Sequence, residues 1–297
     1  MADEMIRVTA ANGGIRAVGI TGKGFVEEAR KRHNLSAVGS AALGQAMIAT
    51  LLLASGMKTP QARVSLQIMG DGPLGKVFAD AGADGTVRGF VKNPQVEIPL
   101  NDNNGLDVGQ AIGHNGFLCV IRDEGIGIPY TSTVELASGE VGQAVAHYLY
   151  TSEQTPSVVL VGVHVNSEGI EAAGGALLQL MPQEAENDTL IDLLEERVRN
   201  FHGFSRLLRS GSSPAQILVN MLDGLHPEVL PEVTPLRFAC PCSLDRVLSA
   251  LRMLSISELR EMMEKDGGAE VVCQFCGKVY HIDRFDLGKI IMNMEAR

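Results

Sequence analysis

The sequence predicts an α+β fold: a mixed or antiparallel sheet core with packed helices, then a helical linker and a small C-terminal zinc-binding domain. Three observations carry this. Strand-like and helical runs follow one another irregularly rather than as a repeating βαβ unit, which disfavours a doubly wound parallel sheet. A polar, charged stretch sets in at Pro182. Four of the five cysteines form two close pairs, Cys240-Pro241-Cys242 and Cys273-Gln274-Phe275-Cys276, separated by the thirty residues 243 to 272.

The elements follow in order. Residues 5–11 and 15–21 alternate and are β-rich, and Asn12-Gly13-Gly14 between them supplies the positive φ angles of a tight hairpin. Residues 25–33 are polar and helical. Ser36 to Ser55 is a longer helix rich in Ala and Gly, with Ser36 as N-cap and Gly56 beyond its end. Residues 63–69, 76–80, 86–91, 116–122 and 130–135 read as strands between Gly, Asp and Pro turns. A helix over 139–152 precedes strands over 157–165 and 169–180, and Gly174-Gly175 predicts a bulge in the latter. Residues 70–75 spell G-x-G-x-x-G, but residues 76–80 alternate like a strand where a dinucleotide site needs a helix, so a turn is predicted.

Residues 1–181 are therefore expected to form the core and 182–235 a linker. In the linker, a helix from Thr189 to Phe201 places Leu190, Leu194, Val198 and Phe201 on one face. A second helix, capped by Ser213 with Pro214 at its first position, buries Ile217, Leu218, Met221 and Leu222. The stretch 226–235 carries three prolines and reads as a hinge to the metal domain, 236–297. There Ser243 caps a helix over 244–254, Ser257 caps one over 258–265, and residues 270–273 and 278–282 form a hairpin turning through Cys273 to Gly277. Asp283 caps a last helix with Phe285, Leu287, Ile290 and Ile291.

Composition excludes several function classes. The net charge is -10, and the three segments carry 12 basic against 17 acidic, 4 against 9, and 9 against 9 side chains. No segment has the clustered Lys and Arg that nucleic acid or an anionic membrane requires. With no Trp, aromatics at 4% and 33 glycines, the core must be built from aliphatic side chains. The acidic start Met-Ala-Asp-Glu-Met lacks a basic n-region and apolar h-region, and the apolar run 46–54 is too short to span a bilayer. A cytoplasmic protein is expected, where thiols stay reduced and clustered cysteines bind metal or sense redox state. No Ser-His-Asp, paired-carboxylate or P-loop constellation emerges, so no enzyme is predicted.

Two thiol pairs with this spacing are the pattern of a four-thiolate zinc site, one Zn2+ held by Cys240, Cys242, Cys273 and Cys276. A purely structural site and a redox-active one both satisfy it. Cys-x-Cys is unusual among structural pairs, and its tight loop implies a strained, reducible disulfide. His281 is read as a hairpin side chain, Cys119 as a buried strand residue, and His33, His114, His147, His164, His202 and His226 as scattered without metal spacing.

The chain resembles the 33 kDa heat shock protein family, redox-regulated holdase chaperones of bacteria. The residues that carry the resemblance are 238–243, 273–277, the 70–75 turn, Ser138-Gly139-Glu140-Val141 and 148–156. The resemblance implies that the four cysteines bind one zinc when reduced, and on oxidation release it and pair as Cys240 with Cys242 and Cys273 with Cys276. The metal domain and linker would then unfold, and the protein would dimerise and bind unfolding clients without ATP. Client contact is expected along Leu190, Leu194, Val198, Phe201, Ile217 and Met221. Two other classes fit the residues: a thiol-disulfide oxidoreductase working through Cys273 and Cys276, and a constitutive zinc-ribbon adaptor.

Overall fold

The computed structural model describes residues 2–102, 104–136, 138–184, 187–199, 201 and 203–295. Ala185 and Glu186 of the polar run, Asn200 of the helix after it, and His202 lie outside the described residues. The chain divides into two compact units, Met1–Ala239 and Cys240–Arg297.

The first unit runs β1 (Glu4–Ala10), β2 (Ile15–Thr21), α1 (Lys23–His33), α2 (Ala37–Ala54), β3 (Arg63–Gly70), β4 (Lys76–Gly82) and β5 (Thr86–Val91). It continues with α3 (Val108–Ile112), β6 (Gly116–Asp123), β7 (Tyr130–Glu135), α4 (Val141–Glu153), β8 (Ser157–Asn166) and β9 (Gly169–Leu180). The predicted linker supplies α5 (Asp188–Arg199), α6 (Phe204–Arg209), α7 (Pro214–Met221), β10 (Glu228–Val229) and β11 (Thr234–Pro235), and β12 (Arg237–Phe238) follows. The short α3 and α6 are additions to the predicted elements.

Two sheets enclose α2. The first has the order β10-β1-β2-β9-β8, with β11 also on β1, and its pairings are antiparallel. The second has the order β12-β5-β4-β3-β6-β7, antiparallel except for the parallel pair β12–β5. The opening turn has Ala11, Asn12 and Gly13 at φ 51, 53 and 86, as the hairpin chemistry requires. In α2, Ser36 accepts from the Gly39 amide, and the fully buried Ser40 and Thr50 hydroxyls donate to the carbonyls of Ser36 and Ala46. By length and composition α2 could cross a membrane, which the nine-residue run had not suggested. Here it is the core helix, its small side chains packed against Val18, Ile20, Leu66 and Val77 of the two sheets.

The first sheet is apolar on both faces. Val18, Ile20 and Leu177 face α2, while Ile6, Val8, Ala17, Ala176 and Leu178 point the other way into a second core with α5, α6 and α7. The predicted bulge at Gly174-Gly175 is absent: both residues pair in register with β2 and β8, and the register shift falls at His164/Val165. These glycines are needed for close approach. A Cβ on Gly174 would lie 2.2 Å from Leu208 Cδ1 of α6 and 2.4 Å from the Ile20 carbonyl oxygen. The 226–235 stretch is likewise no free hinge, because β10 and β11 add to the outer edge of β1 in registers Val8↔Val229 and Met5↔Thr234. Proline is tolerated there because an edge strand need not donate on its outer side.

The second unit runs α8 (Leu244–Leu251), α9 (Ile256–Glu261), a π-helical turn Met262–Asp266, β13 (Gly268–Val272), β14 (Val279–Asp283) and α10 (Arg284–Glu295). Ser255, not Ser257, caps α9, because a capping box requires the carboxylate three residues on, and that is Glu258. Val247, Leu251, Leu259, Ile282, Leu287 and Ile290 make its small core.

Gly174→Val should cost about 1–3 kcal/mol by overpacking under α6. A fall of a few degrees in the thermal midpoint, followed by circular dichroism, is the expected result.

Candidate metal centre

Cys240 and Cys242 flank a proline just before Ser243, whose side chain caps α8 by accepting from the Arg246 amide. Cys273 and Cys276 sit in the tight turn between β13 and β14. There the Cys273 amide donates to the Lys278 carbonyl at 2.9 Å, and the Gly277 amide returns to the Cys273 carbonyl at 2.8 Å. Gly277 sits at φ 69, so the chain can reverse with both sulfurs pointing one way.

The four Sγ atoms converge to within 4.8 Å of one another. Cys240 Sγ is 3.7 Å from Cys273 Sγ, and Cys242 Sγ is 3.4 Å from Cys276 Sγ. A tetrahedron with metal–sulfur bonds of about 2.3 Å has edges of about 3.8 Å, so the donor set fits a tetrahedral ion and can hold a metal. Cys276 is buried and the other three are half-buried.

Tyr280 of β14, a residue the sequence reading passed over, donates its hydroxyl to Cys242 Sγ at 3.1 Å. Burial opposes ionisation of Cys242, but hydrogen bonds, that from Tyr280 foremost, outweigh it and bring the thiol down to about 7. Burial pushes Cys276 up to about 12 and raises Cys273 as well. The bond to Cys242 in turn raises Tyr280 to about 12. The one sequence signal for Tyr280 was its alternation with Ile282 on the buried face of β14, which exposes His281 instead. His281 lies 3.5 Å from Glu270 and outside the sulfur cluster.

The residues expected to meet clients lie together in the first unit. Leu190 and Leu194 of α5 and Ile217 and Met221 of α7 are buried on the outer face of the first sheet, with Val198 and Phe201 partly buried beside them. Helix α5 runs between two clefts of about 570 and 630 Å³. On the first side its Arg197 guanidinium donates to the Met221 and Asp223 carbonyls at 2.7 and 2.6 Å. Cys119 belongs to neither site. It lies in the predicted strand but is only half-buried, on the face of β6 opposite Leu118 and Val120, where a buried residue was expected.

Fold and site define an α+β protein whose C-terminal unit is built around a thiol cluster suited to a metal ion. The profile of the Hsp33 protein family matches residues 3–283. A 33 kDa chaperonin of Gloeothece citriformis is 55% identical over 297 residues, covering 100% of this chain and 99% of that one. One of Synechocystis is 55% identical over 291 residues, covering 98% and 96%. The crystal structure of the Thermotoga maritima 33 kDa chaperonin, a heat shock protein 33 homolog, superposes with a TM-score of 0.92 at 32% identity, covering 100% of both chains. The chain belongs to the Hsp33 family of heat shock chaperones.

Metal affinity should depend steeply on pH. Raised thiols keep their protons through the neutral range, so a metal must displace protons from Cys273 and Cys276. Each proton displaced makes apparent affinity rise about tenfold per pH unit, on the order of a hundredfold for these two, and Cys242, at about 7, adds to it at the lower pH. Chelator competition at about pH 6.5 and about pH 7.5 measures this, with the weaker binding expected at the lower pH.

Proposed function

We propose that this chain is a redox-regulated, ATP-independent holdase that keeps unfolding cytoplasmic proteins from aggregating. The observation that carries the reading is the convergence of four sulfurs within 4.8 Å in a unit of Hsp33 sequence whose own core is small. The functional division is core 1–181, linker 182–235 and zinc-binding switch 236–297.

In the reduced state Cys240, Cys242, Cys273 and Cys276 are the ligands of one Zn2+, the ion that four soft thiolates in tetrahedral array favour. When bound it supplies folding free energy, on the order of 10 kcal/mol, to a unit of about sixty residues that is marginal without it. Oxidation by a peroxide proceeds at sulfur. One thiolate takes an oxygen atom to become a sulfenic acid and hydroxide leaves, then a second thiolate displaces the remaining hydroxide to form the disulfide. Two thiolates are thus oxidised by two electrons for each peroxide reduced.

In the assembled cluster each sulfur is near the other three, so proximity there does not select partners. Once the donors begin to leave, only chain neighbours remain close, because their loops are the shortest to close. The pairing that the family resemblance implies, Cys240–Cys242 and Cys273–Cys276, joins these chain neighbours. A quartet so oxidised cannot ligate the ion, and its unit loses its fold.

Cys240 follows β12 by one residue, and β10 to β12 lead back to α5–α7. Loss of the second unit's fold is passed along this segment to α5–α7, short helices flanked by clefts, whose opening is the next step of the proposal. Their departure bares the outer face of the first sheet and the helix residues Leu190, Leu194, Val198, Phe201, Ile217 and Met221. That apolar surface binds clients and, in a second copy, makes the active dimer.

Light scattering from a thermally unfolding client tests this. Peroxide-treated protein should suppress aggregation and reduced, zinc-loaded protein should not, with about one zinc released per chain as activity appears. Equal suppression in both states would dismiss the switch. Leu194→Ser with Ile217→Ser should weaken holding by the oxidised protein severalfold, and unchanged holding would dismiss this client surface.

A further inference from the structure

We infer that Tyr280 is a positioning residue of the thiolate centre: its hydroxyl fixes Cys242 in the ligand set and shields that sulfur from oxidants. The inference rests on the zinc-switch reading and deepens it.

Tyr280 stands on β14, four residues beyond Cys276, whereas Cys242 belongs to the other thiol pair. Its 3.1 Å hydrogen bond therefore ties the hairpin that carries one pair to the chain that carries the other. The ring is 7% exposed and packed in the small core of the second unit, so the donor is held rather than free to turn to water. Lys278 Nζ stands 4.9 Å from the ring centroid, and a cation over a phenol ring makes its hydroxyl a stronger donor. Across β13, the pairing Val271↔Tyr280 fixes the register that aims it.

A hydrogen bond to a thiolate withdraws charge from sulfur. It orients the ligand as outer-shell donors do, at a typical worth of about 10–100-fold in metal affinity. It also lowers the sulfur's nucleophilicity, on which attack at peroxide oxygen depends. Cys242 is accordingly guarded by a side-chain donor, where Cys273 and Cys276 have the backbone hydrogen bonds of Phe275 and Lys278.

The experiment uses full-length, zinc-loaded protein and Tyr280→Phe, which keeps the ring and removes the donor. Expected are one zinc per chain in both proteins, and chelator- and peroxide-driven zinc loss about tenfold faster in the variant. Cys242 should be oxidised earlier by differential alkylation, and the sulfur-to-metal charge-transfer band of the cobalt(II)-loaded variant should lie at lower energy. Only the last two readouts separate a donor from a mere packing residue. Zinc loss, alkylation order and cobalt spectrum all as in wild type would overturn the proposal. If Y280F does not fold, 3-fluorotyrosine at position 280, a stronger donor in the same ring, must slow zinc loss relative to wild type, and unchanged loss would overturn the proposal instead. Wild-type protein that takes up no zinc would end the zinc reading itself.

Discussion

The first sheet has two apolar faces, and much of the rest of the first unit follows from covering both. An antiparallel sheet with one wet face alternates apolar and polar residues, but β2 and β9 are buried at nearly every position. One face is covered by α2, an uncharged 18-residue helix locked between two sheets. The other is covered by α5, α6 and α7, of 12, 6 and 8 residues. Long helices with continuous packing resist local opening, whereas short ones depend on what they rest against. The two covers thus differ in durability although the surfaces beneath them are alike.

The second unit faces the opposite problem. Its apolar core is a single small cluster, and Cys242 and Cys273 of the sulfur quartet pack against it beside the buried Tyr280. A hydrocarbon core of this size would be weak but insensitive to oxidants. A centre made of thiols is strong with an ion and weak without one. Because burial pushes Cys273 and Cys276 toward the protonated form while Cys242 is drawn the other way, the cluster does not present four equivalent sulfurs.

Much of this was legible in the residue order. Alternating or β-rich runs between turn residues located β1 to β9, even β7 and β8, which have no fully buried position, and the Ser36, Ser213, Ser243 and Asp283 caps marked helix starts through short-range chemistry. The cysteine spacing identified the quartet because two tight pairs have few other uses. What escaped was set by distant partners. Gly174-Gly175 looked like a bulge because the helix that rests on Gly174 is not visible in local sequence. The proline-rich 226–235 stretch looked like a hinge because its pairing partner is more than two hundred residues away. Tyr280 escaped because nothing in a strand's pattern tells whether a phenol ends on water or on sulfur.

The same pairing has a consequence for the sheet's border. β10 and β11 are two residues each, yet they occupy the outer rim of β1, whose seven residues would otherwise present a row of unpaired amides and carbonyls. An open rim of that kind recruits any extended chain without regard to its side chains, since main-chain bonds are the same in every sequence. Residues 228–235 therefore form a hem on that rim. While they are stitched on, the rim is inert, and if they are drawn away along with the helices the fold gains a sequence-blind edge beside its greasy face. That combination would suit a surface that must accept many unrelated chains.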